Sequence, residues 1–204
     1  MQSRRHPPPA AEAFIFDLDG TLTIPQLDFE AIREEMGIAG GPLLEELERL
    51  DGEAAALAWN VLESHEERAA RTATLQPGAR QVLTELRRRR LPTAILTRNS
   101  RQSLDTVLRR HRIEVDKSLS REEAPVKPSP EPVLILCEEL GVPPEKTYVT
   151  GDYIFDIQSA RGAGAVSVLL MNPKNSMFSE QADLKISNLM EILDFPNRSR
   201  EKTA

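Results

Sequence analysis

The spacing of apolar and polar positions divides the chain into stretches with different periods. Residues 13–16 (Ala-Phe-Ile-Phe) form an unbroken apolar run that stops at carboxylates, the pattern of a short strand buried on both faces. After Thr23 the period turns helical. Phe29, Ile32 and Met36 share a face, residues 37–42 interrupt it with glycine and proline, and Leu43, Leu44, Leu47 and Leu50 make a second stripe closed by Asp51 and Gly52. An Ala-rich stretch over 53–72 predicts a longer helix with Leu57, Val61 and Leu62 inward and its Glu and Arg residues outward. Segment 24–74 therefore reads as helical throughout.

From Pro77 onward helix and strand signals alternate. Helices are predicted near 78–90, 100–111, 130–140 (prolines at its start, where they are tolerated) and 156–163. Strands are predicted at 93–97, near 118–120, at 146–150 and at 165–170, and a last strand–helix pair over 184–193. Such alternation calls for parallel strands joined by right-handed crossovers. The expected architecture is α/β, a Rossmann-like parallel sheet flanked by helices. Residues 13–23 and 75–195 would form this core, with 24–74 a small all-helical insertion after the first strand. Segments 1–12 and 196–204 read as flexible termini, and the polar tail begins at Phe195.

Composition narrows the function. The 204 residues are 40% hydrophobic and only 4% aromatic, so aliphatic side chains must fill the core. A net charge of −6 argues against generic binding to nucleic acid or acidic membranes. The run Arg87–Arg90 ends an amphipathic stretch carrying Val82, Leu83 and Leu86, where cations favour a helix C-terminus. The single cysteine, Cys137, lies at helical core spacing with Val133, Leu136 and Leu140, which predicts a buried thiol and a reducing compartment. No apolar run approaches the roughly 18–20 residues of a membrane span, and the N-terminus lacks a secretory signal, so the expected location is cytoplasmic.

Four clusters carry candidate chemistry. Asp17-Leu18-Asp19-Gly20-Thr21 follows the first strand. Residues two apart on extended chain face one way, so Asp17 and Asp19 can address one volume, and Gly20 permits close approach. A solvated turn is the competing reading. Thr97-Arg98-Asn99 follows another strand and offers an anion cradle, or an ordinary helix start. Lys127 sits among prolines that stiffen the backbone, and taken alone reads as a surface lysine. In Gly151-Asp152-Tyr153-Ile154-Phe155-Asp156, Asp152 leaves a strand end and Asp156 can lie above the same site one helical turn on. Together these place carboxylates, a hydroxyl and a lysine at one edge of one sheet. That many anions call for a cation, and oxygen donors without nearby His or Cys favour Mg²⁺ over zinc or copper.

The clusters, in this order, resemble those of the haloacid dehalogenase (HAD) superfamily, in the branch with a helical cap and phosphoglycolate phosphatase-like members. The resemblance covers residues 14–193. It implies a phosphatase with Asp17 as nucleophile, forming an aspartyl-phosphate, and Asp19 as general acid and base. It implies Mg²⁺ held by Asp17, the Asp19 carbonyl and Asp152, with Asp156 as a further ligand or outer partner. Thr97 and Lys127 would bind phosphoryl oxygens, with amides near Gly20, Arg98 and Asn99 helping. The implied partner is a small-molecule phosphate ester, and the implied state a monomer or homodimer. Asp19 disfavours dehalogenation, and the absence of any lysine before Lys117 removes Schiff-base phosphonatase chemistry. A phosphotransferase or sugar-phosphate mutase shares the core machinery. Arg33, Arg49 and Arg68 are candidate contacts for an anionic substrate, and Glu34, Glu35, Glu45, Glu46 and Glu48 read as solvated helix faces.

Overall fold

The computed structural model of the protein describes residues 8–197. Its centre is a six-stranded sheet: β1 (Ala13–Phe16), β2 (Thr93–Leu96), β3 (Lys117–Leu119), β4 (Thr147–Gly151), β5 (Val166–Leu170) and β6 (Leu184–Ile186). All pairings are parallel, in the order β3-β2-β1-β4-β5-β6. The chain grows outward from β1 in one direction, then restarts on its other side at β4. This reversal leaves a crevice beyond the C-terminal ends of β1 and β4, where open α/β sheets place ligands.

The pleat sorts the strand residues onto two faces. Phe14, Phe16, Ile95, Tyr148, Val166 and Val168 belong to one apolar cluster, Ile15, Ala94, Leu96 and Val149 to the other. The first face is covered by α4 (Ala79–Arg88), α5 (Arg101–His111) and a C-terminal 3-10 segment (Leu189–Asn197). The second is covered by α6 (Glu131–Leu140) and α7 (Ile154–Gly162). Cys137 is buried in that second layer as its spacing predicts, and burial pushes its thiol pKa up. The arginine run ends α4: Arg88 and Arg89 pair with Glu85, and Arg87 with Glu114.

Between β1 and α4 lie α1 (Phe29–Met36), α2 (Leu43–Leu47) and α3 (Gly52–Thr72), with their own apolar cluster of Ile32, Leu43, Leu44, Leu47, Ala58 and Leu62. Asp28 caps α1 by accepting from the Glu30 and Ala31 amides. α3 also packs along α5. Its buried stripe is Ala58, Leu62, Glu66 and Ala70, a strict four-residue repeat. Leu57, expected inward, lies one position off that stripe and is 60% exposed, because two short helices cover only a narrow band of α3. Phe29 and Leu50 are likewise exposed rather than core. Glu66, expected outward, is 2% exposed.

Both ends of the core are more firmly attached than their composition suggests. Ala11 is buried and its amide donates to the Phe195 carbonyl, while the Glu12 amide donates to the Lys146 carbonyl. The Tyr148 hydroxyl donates to the Pro9 carbonyl at 2.6 Å. Phe195, read from sequence as the start of a polar tail, is 2% exposed and packs on Tyr148 with ring centroids 5.2 Å apart. Residues 1–7 and 198–204 of the expected termini lie outside the described residues.

Phe14 stacks against Phe16 and tilts against Tyr148 within this core. Phe14→Ala is expected to destabilise the fold by about 3–5 kcal/mol, read from the urea midpoint at unchanged m-value.

Candidate active site

Asp17 is the residue after β1, and its amide donates to the Thr150 carbonyl of β4 at 2.9 Å. The next residues coil tightly: the Leu22 and Thr23 amides both donate to the Leu18 carbonyl, at 2.9 Å each. This turn places Asp19 over the same strand end, where the Thr23 hydroxyl donates to its Oδ1 at 3.4 Å. Gly20 sits at φ 88°, and a Cβ there would lie 2.6 Å from Asp152 Oδ2. Only glycine lets the two loops meet this closely.

Lys127 reaches in from the loop before α6 and is 3% exposed. Its Nζ donates to Asp17 Oδ1 (2.6 Å), Asp156 Oδ1 (2.6 Å) and the Leu96 carbonyl (2.9 Å). All three ammonium protons are therefore matched, and the surface-lysine reading is overturned. Asp156 holds Lys127 with one oxygen and, with the other, accepts from the Tyr153 amide at the start of α7. A Cβ on Gly151 would fall 2.0 Å from Asp156 Cγ, so β4 must end in glycine for this carboxylate to fit. Asp152 accepts from Asn172 Nδ2 at 3.1 Å, and its carbonyl from Asn175 Nδ2 at 2.8 Å.

Carboxylate oxygens of Asp17, Asp152 and Asp156 all lie within 4.8 Å of one another. Burial and repulsion raise the pKa values of Asp17, Asp19 and Asp152. Asp17 is pushed up to about 6, burial and the Asp156 charge outweighing Lys127. Asp19 rises to about 7 through burial and the charge of Asp17. Asp152 rises to about 8 through burial and then Asp17, Asp156 and Asp19. Burial opposes the charge on Lys127, but Asp156 and Asp17 more than offset it, and its pKa is raised. The group is short of positive charge and all its donors are oxygen. These residues fit a hard divalent cation.

Thr97, 3% exposed, lies at the end of β2, and its Oγ1 accepts from the Asn99 amide at 3.1 Å. Asn99 faces a crevice beside Asp19. The Arg98 side chain does not turn to the carboxylate group. It forms a two-point pair with Glu45 of α2 at 3.0 and 2.7 Å, donates to the Lys127 carbonyl, and lies 4.6 Å from the centre of the Phe155 ring. Glu45 is thus a bridge between α2 and the core rather than a solvated acid. Burial alone would raise its pKa, but Arg98 lowers it.

Two features lie outside the four sequence clusters. Glu66 accepts from the Ser100 amide at 3.1 Å and pairs with Arg121, tying α3 to the start of α5. Asn172 and Asn175 brace Asp152 from just past β5, a strand end on the same sheet edge, which is the signal that could have marked them. Gly151 was visible only as part of its motif.

Fold and site together define a doubly wound α/β enzyme that gathers buried carboxylates and a lysine at the switch point of its sheet. The chain belongs to the haloacid dehalogenase-like hydrolases, whose family model matches residues 11–164. It is 30% identical over 195 residues to an uncharacterized hydrolase of Saccharomyces cerevisiae, covering 90% of this chain and 89% of that protein. It is 26% identical to a phosphoglycolate phosphatase of Chromobacterium violaceum, over 90% of this chain and 95% of that one. Among solved structures, a hydrolase from Pseudomonas syringae superposes with a TM-score of 0.71 at 22% identity, covering 95% of this chain and all (100%) of that one.

Gly151→Ala is expected to cost about 1–3 kcal/mol by driving Asp156 from its seat. Gly40→Ala, with nothing within 4 Å of the added methyl, should change stability by less than about 0.5 kcal/mol. Urea denaturation of both variants checks the contrast.

Proposed function

We propose that this hydrolase is a Mg²⁺-dependent phosphatase that cleaves a small phosphomonoester through an aspartyl-phosphate on Asp17. The observation that carries this reading is the position of Lys127, which holds Asp17 and Asp156 at once and leaves the second oxygen of Asp17 without a lysine contact. The relatives described as phosphatases, including an N-acetylmuramic acid 6-phosphate phosphatase of Pseudomonas aeruginosa at 26% identity, support it.

Asp17 attacks phosphorus while the bond to the leaving oxygen breaks, and protonated Asp19 gives that oxygen its proton. Asp19, now a carboxylate, takes a proton from water as the water oxygen attacks phosphorus and the Asp17–phosphorus bond breaks, releasing inorganic phosphate. Burial raises the Asp19 pKa, which favours the protonated form that gives up its proton to the leaving oxygen. The Thr97 hydroxyl and the amides near Gly20, Arg98 and Asn99 bind phosphoryl oxygens, and Lys127, its protons held by Asp17, Asp156 and the Leu96 carbonyl, offsets their negative charge. Asp17, Asp152 and the Asp19 carbonyl would hold Mg²⁺, and Asp156, whose two oxygens are engaged, orients Lys127. Bound there, the ion would neutralise phosphoryl charge and offset the repulsion among the carboxylates. The helices over 24–74 act as a cap that excludes water and meets the leaving group.

With p-nitrophenyl phosphate, wild-type protein should release phosphate with Mg²⁺, lose activity in EDTA and regain it on Mg²⁺ addition. Asp17→Asn should fall to background and Asp19→Ala should lose about 10²–10⁴-fold in kcat. Activity in EDTA, or an active Asp17→Asn, rejects the mechanism. Isomerisation of a sugar phosphate with little phosphate released would favour a mutase instead.

A further inference from the structure

We infer that Glu66 and Arg121 are positioning residues for the phosphate-binding turn: between them they fix two successive peptide groups, and through those the Thr97 hydroxyl and the Arg98 amide. This deepens, and rests on, the phosphomonoesterase reading above. Glu66 belongs to α3 of the helical block and Arg121 follows β3, so the turn over 97–100 is held from outside its own strand and helix.

A peptide group is planar, so holding its N–H or its C=O sets the direction of the other. The group between Asn99 and Ser100 is held at both ends. Its N–H donates to Glu66 Oε2 at 3.1 Å, and its C=O accepts from the Arg121 amide at 3.3 Å. The group between Arg98 and Asn99 is held likewise. Its C=O accepts from Arg121 Nη1 at 3.4 Å, and its N–H donates to Thr97 Oγ1 at 3.1 Å. The Asn99 N–H thereby occupies one lone pair of the Thr97 oxygen and leaves the hydroxyl proton free to donate. Two amides further on are already committed: Arg101 donates to Glu122 Oε2 at 3.0 Å and Ser103 to Ser100 Oγ at 3.2 Å. Among the described residues neither the Arg98 amide nor the Thr97 hydroxyl donates elsewhere, so these are what the turn keeps for an anion.

The burial of the pair points the same way. Glu66 is 2% exposed and the Arg121 side chain 6%, with the guanidinium 5.2 Å from the centre of the Trp59 ring. An ion pair so buried loses much of its attraction to desolvation, and apolar residues of similar volume often replace one without loss of stability. What apolar residues do not supply is an acceptor for the Ser100 amide or a donor for the Arg98 carbonyl. Arg121 serves the turn twice, its side chain at the Arg98 carbonyl and its amide at the Asn99 carbonyl. The Ser103 hydroxyl donates to the Glu66 carbonyl at 3.2 Å, so α3 and α5 are joined at the same point. The Glu45–Arg98 pair differs: Glu45 meets only the Arg98 side chain and leaves the peptide groups of the turn untouched.

The full chain with Mg²⁺ is assayed on p-nitrophenyl phosphate, with inorganic phosphate as competitive inhibitor and the urea midpoint measured alongside. Replacing the pair by apolar residues, Glu66→Leu together with Arg121→Met, should keep the fold. It should nevertheless raise the inhibition constant of phosphate by about tenfold or more, with kcat/KM falling at least as far. Leu62→Ala, on the same buried stripe of α3, should lower the urea midpoint and leave the inhibition constant within about twofold of wild type. A folded double variant that binds phosphate like wild type overturns the inference and leaves the phosphatase reading intact. So does a Leu62→Ala protein that loses phosphate as severely as the double variant. Where the double variant does not fold, Arg121→Lys decides, since it keeps a charge opposite Glu66 but not the planar fork. Phosphate bound at least about threefold more weakly by Arg121→Lys supports the inference, and an unchanged inhibition constant overturns it. Wild type that hydrolyses no ester, p-nitrophenyl phosphate included, rejects the phosphatase reading itself and the inference with it.

Discussion

The buried ammonium of Lys127 is the constraint around which this structure is arranged. An ion removed from water is tolerated only where its charge and its protons are fully matched, since the desolvation penalty is several kcal/mol per ion. Asp17 just past β1, Asp156 in the first turn of α7 beyond β4, and the Leu96 carbonyl at the end of β2 provide that match. The parallel order that reverses between β1 and β4 is what brings those ends together. The glycines follow from the same constraint. Gly151 makes room for Asp156 and Gly20 for Asp152, and each would place a Cβ inside a carboxylate. The remaining carboxylates are left with too little positive charge, which is why burial and repulsion raise Asp17, Asp19 and Asp152 together.

Features set by local pattern were legible in the sequence, and features set by distant partners were not. The apolar run at β1 and the alternation after Pro77 are consequences of burial on both faces and of crossover geometry, so the Rossmann-like α/β sheet could be read directly. Asp17, Asp19, Asp152 and Asp156 stood out because each closes or follows a strand. Lys127 did not, taken singly: its meaning comes from Asp17, 110 residues away in sequence. Glu66 illustrates the opposite failure. Its helical position agrees with the buried stripe of α3, but an acid at such a position reads as solvated unless its partner is known, and Arg121 lies 55 residues further on. Phe195 was assigned to a tail because polar residues follow it, although Tyr148 and Ala11 claim it for the core.

The helical block cannot be treated as an independent lid, because its contacts run into the loops that carry the buried lysine and the carboxylates. Val126, the neighbour of Lys127, packs against the cluster of Ile32, Leu43 and Leu62. Glu66 holds the Ser100 amide, only a few residues from Thr97. Glu45 holds Arg98, which in turn donates to the Lys127 carbonyl and covers Phe155. Phe155 leans on Tyr153, and Tyr153 on Phe178, in edge-to-face contacts with centroids 5.1 and 5.2 Å apart. A line of contacts therefore passes from α2 across the ends of β2, β4 and β5.

This coupling bears on how the helical block is held against the core. A cap with free arginines would attract anionic leaving groups and would also compete for Asp19 and Asp152. Here the arginines nearest the site are paired with acids of the helical block itself, Arg98 with Glu45 and Arg121 with Glu66. The pairs fix the block against the core. The position of the block is then set by these pairs, so a change in charge at Glu45 or Glu66 shifts it against the core. Because the Glu45–Arg98 pair is partly open to solvent and the Glu66–Arg121 pair is not, the first is the one that can change with little cost to the fold.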